Sequence, residues 1–294
     1  MKRRGLLAGV IATVAAIAAM APSALAADVP HYTTDRQDVP AEYRTFVLDT
    51  TDLPTQIVNG DFQTFGNEII DIKEDTVQWL PWQTFVDRDG MVWQSPAAGI
   101  WSPLDGWDRD LFGWRSDDTA AGHEGVVELQ RNTDSKDGSR GNVWAEICAN
   151  NVDSYIYQDV ATTPGAVYTW HLDHAARNAG TPDSMQVMIG TPGHETPQQA
   201  TRVASNDPAD KVGKTSDTIT THGTGQSDGW STYEGVYVAT STVTRFTFKA
   251  VTGQEAYGSA EGNLIDNIGF TISWPLTYDL QGGAGIIPNK EQQS

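Results

Sequence analysis

Thr244-Arg245-Phe246-Thr247-Phe248-Lys249-Ala250 alternates polar and apolar side chains over seven residues. Phe246, Phe248 and Ala250 share one side and Arg245, Thr247 and Lys249 the other, which is the period-two pattern of a half-buried strand. The pattern recurs upstream. Tyr168, Trp170 and Leu172 alternate with Thr169, His171 and Asp173; Met185, Val187 and Ile189 with Gln186 and Met188; Val143, Ala145 and Ile147 with Trp144, Glu146 and Cys148. No convincing amphipathic run of period 3.6 occurs between about residues 57 and 272. Many short strands separated by Gly, Asn, Asp and Pro predict an all-β domain over residues 57–275, an antiparallel jelly-roll β-sandwich.

Two stretches interrupt this pattern. Thr191 to Asp228 is rich in Thr, Gly, Asp and Pro and reads as a long loop between strands. Gln78 to Trp114 holds six of the ten tryptophans (Trp79, Trp82, Trp93, Trp101, Trp107 and Trp114) in a Gly/Pro/Asp background, and reads as a loop-like insert with occasional strands. Residues 27–56 carry Pro30, Pro40 and Pro54 with little periodicity and read as an extended lead-in.

The N-terminus predicts export. Lys2, Arg3 and Arg4 precede an apolar run from Leu6 to Met20 that ends in Ala24-Leu25-Ala26, the pattern of a signal peptide (residues 1–26) cleaved after Ala26. That run is short for a span, and no later stretch reaches the ~20 apolar residues a spanning helix needs, so membrane insertion is not expected. The chain has 38 Asp+Glu against 19 Lys+Arg, a formal net charge of −19, and loses three more cations with the signal peptide. Such a surface repels phosphate backbones and anionic lipid, which argues against nucleic acid as a partner. The single cysteine, Cys148, excludes an intramolecular disulfide, so the fold must rest on its core.

Enzymatic signatures are missing. There is no G-x-S-x-G, H-E-x-x-H or P-loop pattern, and six His with one Cys provide no zinc-like spacing. Glu146 and Asp173 are the carboxylates to suspect if activity appeared, but a non-catalytic protein is expected.

Three segments carry a resemblance. Val58-Asn59-Gly60-Asp61-Phe62, then Val143-Trp144-Ala145-Glu146 through Tyr157-Gln158-Asp159-Val160 to Trp170 and Asp173-His174, then Gly262-Asn263-Leu264-Ile265-Asp266-Asn267-Ile268, occur in that order. Trp230-Ser231-Thr232-Tyr233-Glu234-Gly235 lies between the last two. Together they are similar to galactose-binding-like jelly-roll domains of bacterial surface proteins, relatives of carbohydrate-binding modules. The resemblance implies a secreted or cell-surface binding module, and one structural calcium ion tying the opening loop to the closing strand. The matching positions are Gln63 and Asp266, and Gln63 departs from the Glu that usually follows the opening Phe. The Trp-rich insert has no counterpart in that family. Residues 276–294, with Tyr278 running into Gly282-Gly283, resemble the truncated start of an internalin-type β-grasp repeat or read as a disordered tail.

Sugar recognition needs aromatic faces to stack on pyranose C–H surfaces and polar groups to catch hydroxyls. Alternation turns Trp144, Glu146, Tyr155, Tyr157, His171, Asp173, Gln186 and Met188 away from the core, and His174, Arg177 and Asn178 follow in a loop. The expected ligand site is therefore Trp144, Glu146, Tyr157, Asp173, His174, Arg177 and Gln186, with a glycan or a host or cell-surface protein as partner. Against it stands the reading that the Trp-rich insert covers this face and makes Trp144 and Tyr157 a second core. The functional alternative is a structural spacer domain with no ligand of its own.

Overall fold

The computed structural model describes residues 53–64, 83–95, 101–104, 107–131, 142–225, 229–256 and 259–273. The signal peptide, most of the lead-in, Trp79, Trp82 and the internalin-like tail lie outside the described residues.

Two antiparallel sheets pack face to face. The larger has ten strands, in the order β14 (Thr215–Ser216), β13 (Ala200–Ser205), β16 (Ser231–Val238), β10 (Val167–Ala175), β20 (Leu264–Ser273), β8 (Val143–Glu146), β7 (Val127–Arg131), β1 (Gln83–Val86), β2 (Met91–Ser95) and β3 (Ser102–Pro103). The smaller has six: β12 (Thr196–Pro197), β11 (Asp183–Gly190), β17 (Val243–Ala250), β9 (Tyr155–Ala161) and β4 (Arg115–Ser116), with β15 (Ile219–Thr221) also on β11. Short hairpins β5 (Thr119–Ala120) with β6 (His123–Glu124) and β18 (Gln254–Ala256) with β19 (Ser259–Glu261) stand apart, and α1 (Arg109–Phe112) is the one helix among the described residues. The long strands alternate between layers: β8, β10, β16 and β20 belong to the larger sheet and β9, β11 and β17 to the smaller. This is the all-β jelly-roll sandwich that the alternation predicts.

The core is built from the apolar half of each alternation. Phe246 and Phe248, from the quoted stretch, are fully buried between the sheets. Phe246 stacks on Phe270 at 5.3 Å and approaches Trp170 at 6.0 Å, while Tyr168 stacks on Phe270 at 4.7 Å. Fully burying such a ring stabilises the fold by about 1.5–3 kcal/mol, and offset ring pairs add ~0.5–1.5.

The glycine of the Trp230-to-Gly235 segment belongs to this packing. Gly235 lies directly opposite Trp170, and a Cβ there would come 2.2 Å from the indole. Gly235→Ala must push a fully enclosed ring aside. We expect it to destabilise the domain by about 1–3 kcal/mol in chemical denaturation; an unchanged midpoint would show that Trp170 has room to move.

The opening segment is fastened to the far end of the chain. Ile268 N–H donates to Gly60 O at 2.9 Å, and a Cβ on Gly60 would sit 2.0 Å from Ile268 O. The Gln158 side chain accepts from Val58 N at 3.0 Å and donates to Val58 O at 2.6 Å. Phe62 is fully buried against Trp114, ring centroids 5.0 Å apart. Leu53 is buried, and the Pro54 carbonyl accepts from Ala161 N at 2.7 Å.

The expectation of one long loop from Thr191 to Asp228 is corrected, and the occasional strands expected of the Trp-rich insert are found. The Thr191–Asp228 stretch contains β12, β13, β14 and β15, Thr- and Ser-rich strands toward the sheet margins with few large apolar residues, of which Ile219 on β15 reaches the core. The Trp-rich insert supplies β1, β2 and β3, which extend the larger sheet beyond β7, and it places Trp114 in the core.

Candidate functional site

On the outer face of the smaller sheet, β11, β17, β9 and β4 set outward side chains in register. One row reads Met188, Thr247, Tyr157, Arg115. The row on one side is Gln186, Lys249, Tyr155, and on the other Gly190, Arg245, Asp159. Tyr157 is the floor. The Arg245 guanidinium lies over its ring, 3.9 Å from the centroid, within cation–π range. Asp159 holds that guanidinium by two hydrogen bonds of 2.7 and 2.8 Å, and Glu195 stands 3.6 Å from it. Burial works against the Arg245 charge, and Asp159 more than offsets it, keeping the group above its usual range. Burial also raises the Tyr157 phenol, so the floor does not titrate near neutral pH.

The rim of this face is open. Tyr155, Gln186 and Met188 are half-buried and Lys249 is exposed. Gln186 is positioned by a 3.1 Å hydrogen bond to Thr218 Oγ1. Aromatic and thioether surface therefore alternates with an amide, an ammonium and a hydroxyl.

The outer face of the larger sheet holds most of the other expected site residues, and their carboxylates are taken up by neighbouring protein groups. Glu146 lies opposite Glu128 and Trp144 opposite Gln130. Trp144, 2 % exposed, packs edge-on against Trp230 at 5.7 Å together with Ala175 and Leu264. Glu146 accepts from Gly262 N at 2.6 Å and from Gln130, and Arg177 Nε is 3.2 Å away. Glu128 accepts from Gln83 and Gln130 at 2.6 and 2.7 Å. Burial raises the Glu128 carboxyl to about 7; burial and its acidic neighbour raise Glu146, with Arg177 partly offsetting. Asp173 accepts from Thr232 Oγ1 at 2.6 Å and Asn267 Nδ2 at 3.3 Å.

The seven expected ligand residues thus divide. Tyr157 and Gln186 share the smaller sheet's outer face, while Trp144, Glu146, Asp173 and Arg177 belong to the larger sheet's side. His174 is neither outward nor in a loop: it ends the inward series Tyr168, Trp170, Leu172 on β10 and is fully buried. It contacts Thr221 Oγ1 at 2.7 Å and Asn263 Oδ1 at 3.1 Å, and burial lowers it to about 4. Alternation fixes which way a side chain points relative to the core. It does not say which sheet carries the strand. The residues missed at the small-sheet face, Arg115, Arg245 and Lys249, include two from the quoted stretch itself, whose polar half marked the face.

Gln63 and Asp266 do meet, through Asn142. Gln63 Nε2 donates to Asn142 Oδ1 at 3.1 Å, Asp61 O at 3.2 Å and Val143 O at 3.4 Å, and Asn142 Nδ2 donates to Asp266. Burial raises Asp266 to about 8, with Asp173 and Asp61 adding to it. Calcium requires six to eight oxygens converging at ~2.3–2.6 Å. Here an amide N–H2 occupies the position among three oxygens, so this arrangement does not fit the ion. Among the described residues no group of three or more His, Cys, Asp or Glu is placed to hold a metal. We expect calcium to leave the melting temperature of the native protein unchanged, whereas Gln63→Glu should create a calcium-dependent rise. A calcium shift in the native protein would overturn this reading.

No family model and no curated relative matches this chain. Solved structures similar to it include TmCBM61 in complex with beta-1,4-galactotriose (14% identity over 54% of this chain and 88% of that one, TM-score 0.32). Another is the CBM22-1 xylan-binding domain of Xyn10C from Paenibacillus barcinonensis (11% identity, 54% and 85%, TM-score 0.31). A third is a family 16 carbohydrate-binding module (13% identity, 49% and 84%, TM-score 0.28).

Proposed function

We propose that this chain is a non-catalytic carbohydrate-recognition module of an exported, surface-associated protein, and that the glycan lies across the outer face of the smaller sheet. The observation that carries this reading is the register of half-buried Tyr155, Met188 and Gln186 with exposed Lys249 on one face, above a buried floor of Tyr157 and Thr247. Ring and thioether surfaces suit the apolar side of a pyranose, and the amide, hydroxyl and ammonium suit its hydroxyls. The larger sheet's outer face supports it by contrast, since Trp144 is buried against Trp230 and the Glu146 and Glu128 carboxylates are bonded within the protein.

The test is a glycan array with residues 27–275, followed by calorimetry on any hit. Tyr155→Ala and Gln186→Ala should each weaken binding by about tenfold or more, equivalent to ~1.4 kcal/mol. Trp144→Ala, on the opposite sheet, should leave the affinity of the folded fraction unaltered. Loss of binding in Trp144→Ala alone would move the site to the larger sheet. Silence from a well-folded sample would leave the structural spacer as the better account.

A further inference from the structure

The small-sheet face contains a buried guanidinium edge with no hydrogen-bond partner among the described residues. Arg115 on β4 stands in register beside Tyr157 and is 6% exposed. Its Nη1 donates to Trp114 O at 2.9 Å and Arg109 O at 3.2 Å. Among the described residues its buried Nε and Nη2 have no hydrogen-bond partner. Arg245, two residues from the same row on β17, shows what satisfaction looks like there: two bonds to Asp159 and Glu195 nearby. No carboxylate bonds Arg115 among the described residues; a second cation, Arg109, acts on it more strongly than Tyr157, Asp110 or Asp159 does singly, and the Arg109 Nε is also buried without a partner. The Thr247 hydroxyl, on the same row, is buried and unpartnered too.

An unpaired buried cation costs several kcal/mol, and buried polar groups are normally bonded. Burial, reinforced by Arg109, lowers Arg115 to about 10, which still leaves it charged at neutral pH. The free edge, Nε with Nη2, is the planar fork that accepts both oxygens of a carboxylate. The full chain is strongly acidic, at −19, so its long-range field repels anions and cannot itself select one.

We infer that the glycan bound on this face is acidic, a uronic-acid-bearing saccharide whose carboxylate takes the free Nε/Nη2 edge of Arg115 beside Tyr157 and Thr247. This rests on the carbohydrate reading above and names its substrate class. The sugar ring then extends toward Met188, Tyr155 and Gln186, where neutral hydroxyls are served. Arg109 adds a second donor and reinforces selection for negative charge.

The experiment compares an oligogalacturonate, its methyl ester and a sulfated neutral oligosaccharide by calorimetry with the native protein, Arg115→Lys and Arg115→Gln. The oligogalacturonate should bind, and esterification should weaken it at least tenfold. Arg115→Lys keeps the charge but loses the fork and should weaken acid binding about as much as Arg115→Gln does. Native affinity should hold or tighten between low salt and ~0.15 M, because screening removes the general repulsion while the desolvated pair is little affected. Equal binding of acid and ester, or equal affinity in all three proteins, overturns the inference. Binding of the sulfated sugar alone also overturns it, in favour of a sulfate site. If neutral glycans bind and respond to Tyr155→Ala while the uronate does not, the carbohydrate face stands and only its acidic specificity falls. If no glycan binds, both fall together.

Discussion

Asp210→Ala is expected to destabilise the domain by about 3–5 kcal/mol, among the largest effects of any single substitution. Asp210 is buried in the segment between β13 and β15 and gathers that segment around itself. Its carboxylate accepts from His222 N at 2.9 Å, from His222 Nδ1 at 2.8 Å and from Gly223 N at 3.4 Å. Arg202 Nη2 lies 3.2 Å away. Burial alone would raise the Asp210 carboxyl; the His222 bonds and the Arg202 cation reverse this and hold it below its ordinary value. Removing the carboxylate strands Arg202, which is 4% exposed, as a buried cation left with Tyr233 Oη at 2.9 Å and backbone carbonyls. Tyr233 Oη in turn contacts Thr221 Oγ1, and Thr221 contacts His174, so the disturbance reaches the core. Urea unfolding of Asp210→Ala, Arg202→Met and the double variant measures it. The double variant should lose less than the sum of the singles by at least ~1 kcal/mol. Simple additivity would show that the pair is not coupled.

Glu128→Gln is expected to do the opposite at alkaline pH and stabilise the domain. The folded carboxyl titrates near 7 against an ordinary value of 4.5, so the folded state keeps a proton that the unfolded chain releases. The stabilisation from that proton is complete below pH 4.5 and is lost as pH rises through 7. Glutamine has the same shape, can accept from Gln83 and Gln130 as Glu128 does, and never ionises. At pH 4.5 variant and native protein should be about equally stable; at pH 8 the variant should be ahead by on the order of 3 kcal/mol. Groups that do not contact Glu128, such as His174 and Asp266, cancel from the comparison, whereas Glu146 does not, because the Glu128 charge that raises its carboxyl is absent from the variant. Parallel stability–pH curves for the two proteins would show that Glu128 is not protonated in the folded state near neutrality.

Much of the fold is legible in the chain. Phe246, Phe248 and Ala250 face inward as their spacing demands, and so do Val143, Ala145 and Ile147, with Trp144 and Glu146 turned to the other side. The opening Asn59-Gly60-Asp61-Phe62 and the closing strand around Ile268 meet, and the glycine between Tyr233 and Val236 is explained by Trp170. The candidate site was legible only in part. Tyr157 and Gln186 share a face, yet the partner that orders the Tyr157 ring, Arg245, is locked to Asp159 across a pairing of strands distant in sequence. Outward direction was also a poor guide to exposure. Arg245 points away from the core and is 2% exposed, and Glu146 is 1% exposed, because neighbouring side chains cover them and no local pattern records that cover.

The sequence by itself determined the period-two alternation, and with it the all-β class, the inward residues of β8, β11 and β17 and of β10 as far as Leu172, and the acidity of the chain. These are local or summed properties, set by side-chain spacing and charge. Only the tertiary structure decided which sheet receives each strand. Consecutive strands cross between layers, so side chains with the same outward phase end on opposite surfaces, Trp144 on one and Tyr157 on the other. It likewise decided which buried charges found partners. Asp159 reached Arg245, Asp210 reached Arg202, and Arg115 was left with an open edge, because charge pairing depends on distances of a few ångströms that arise only once the two layers close on each other.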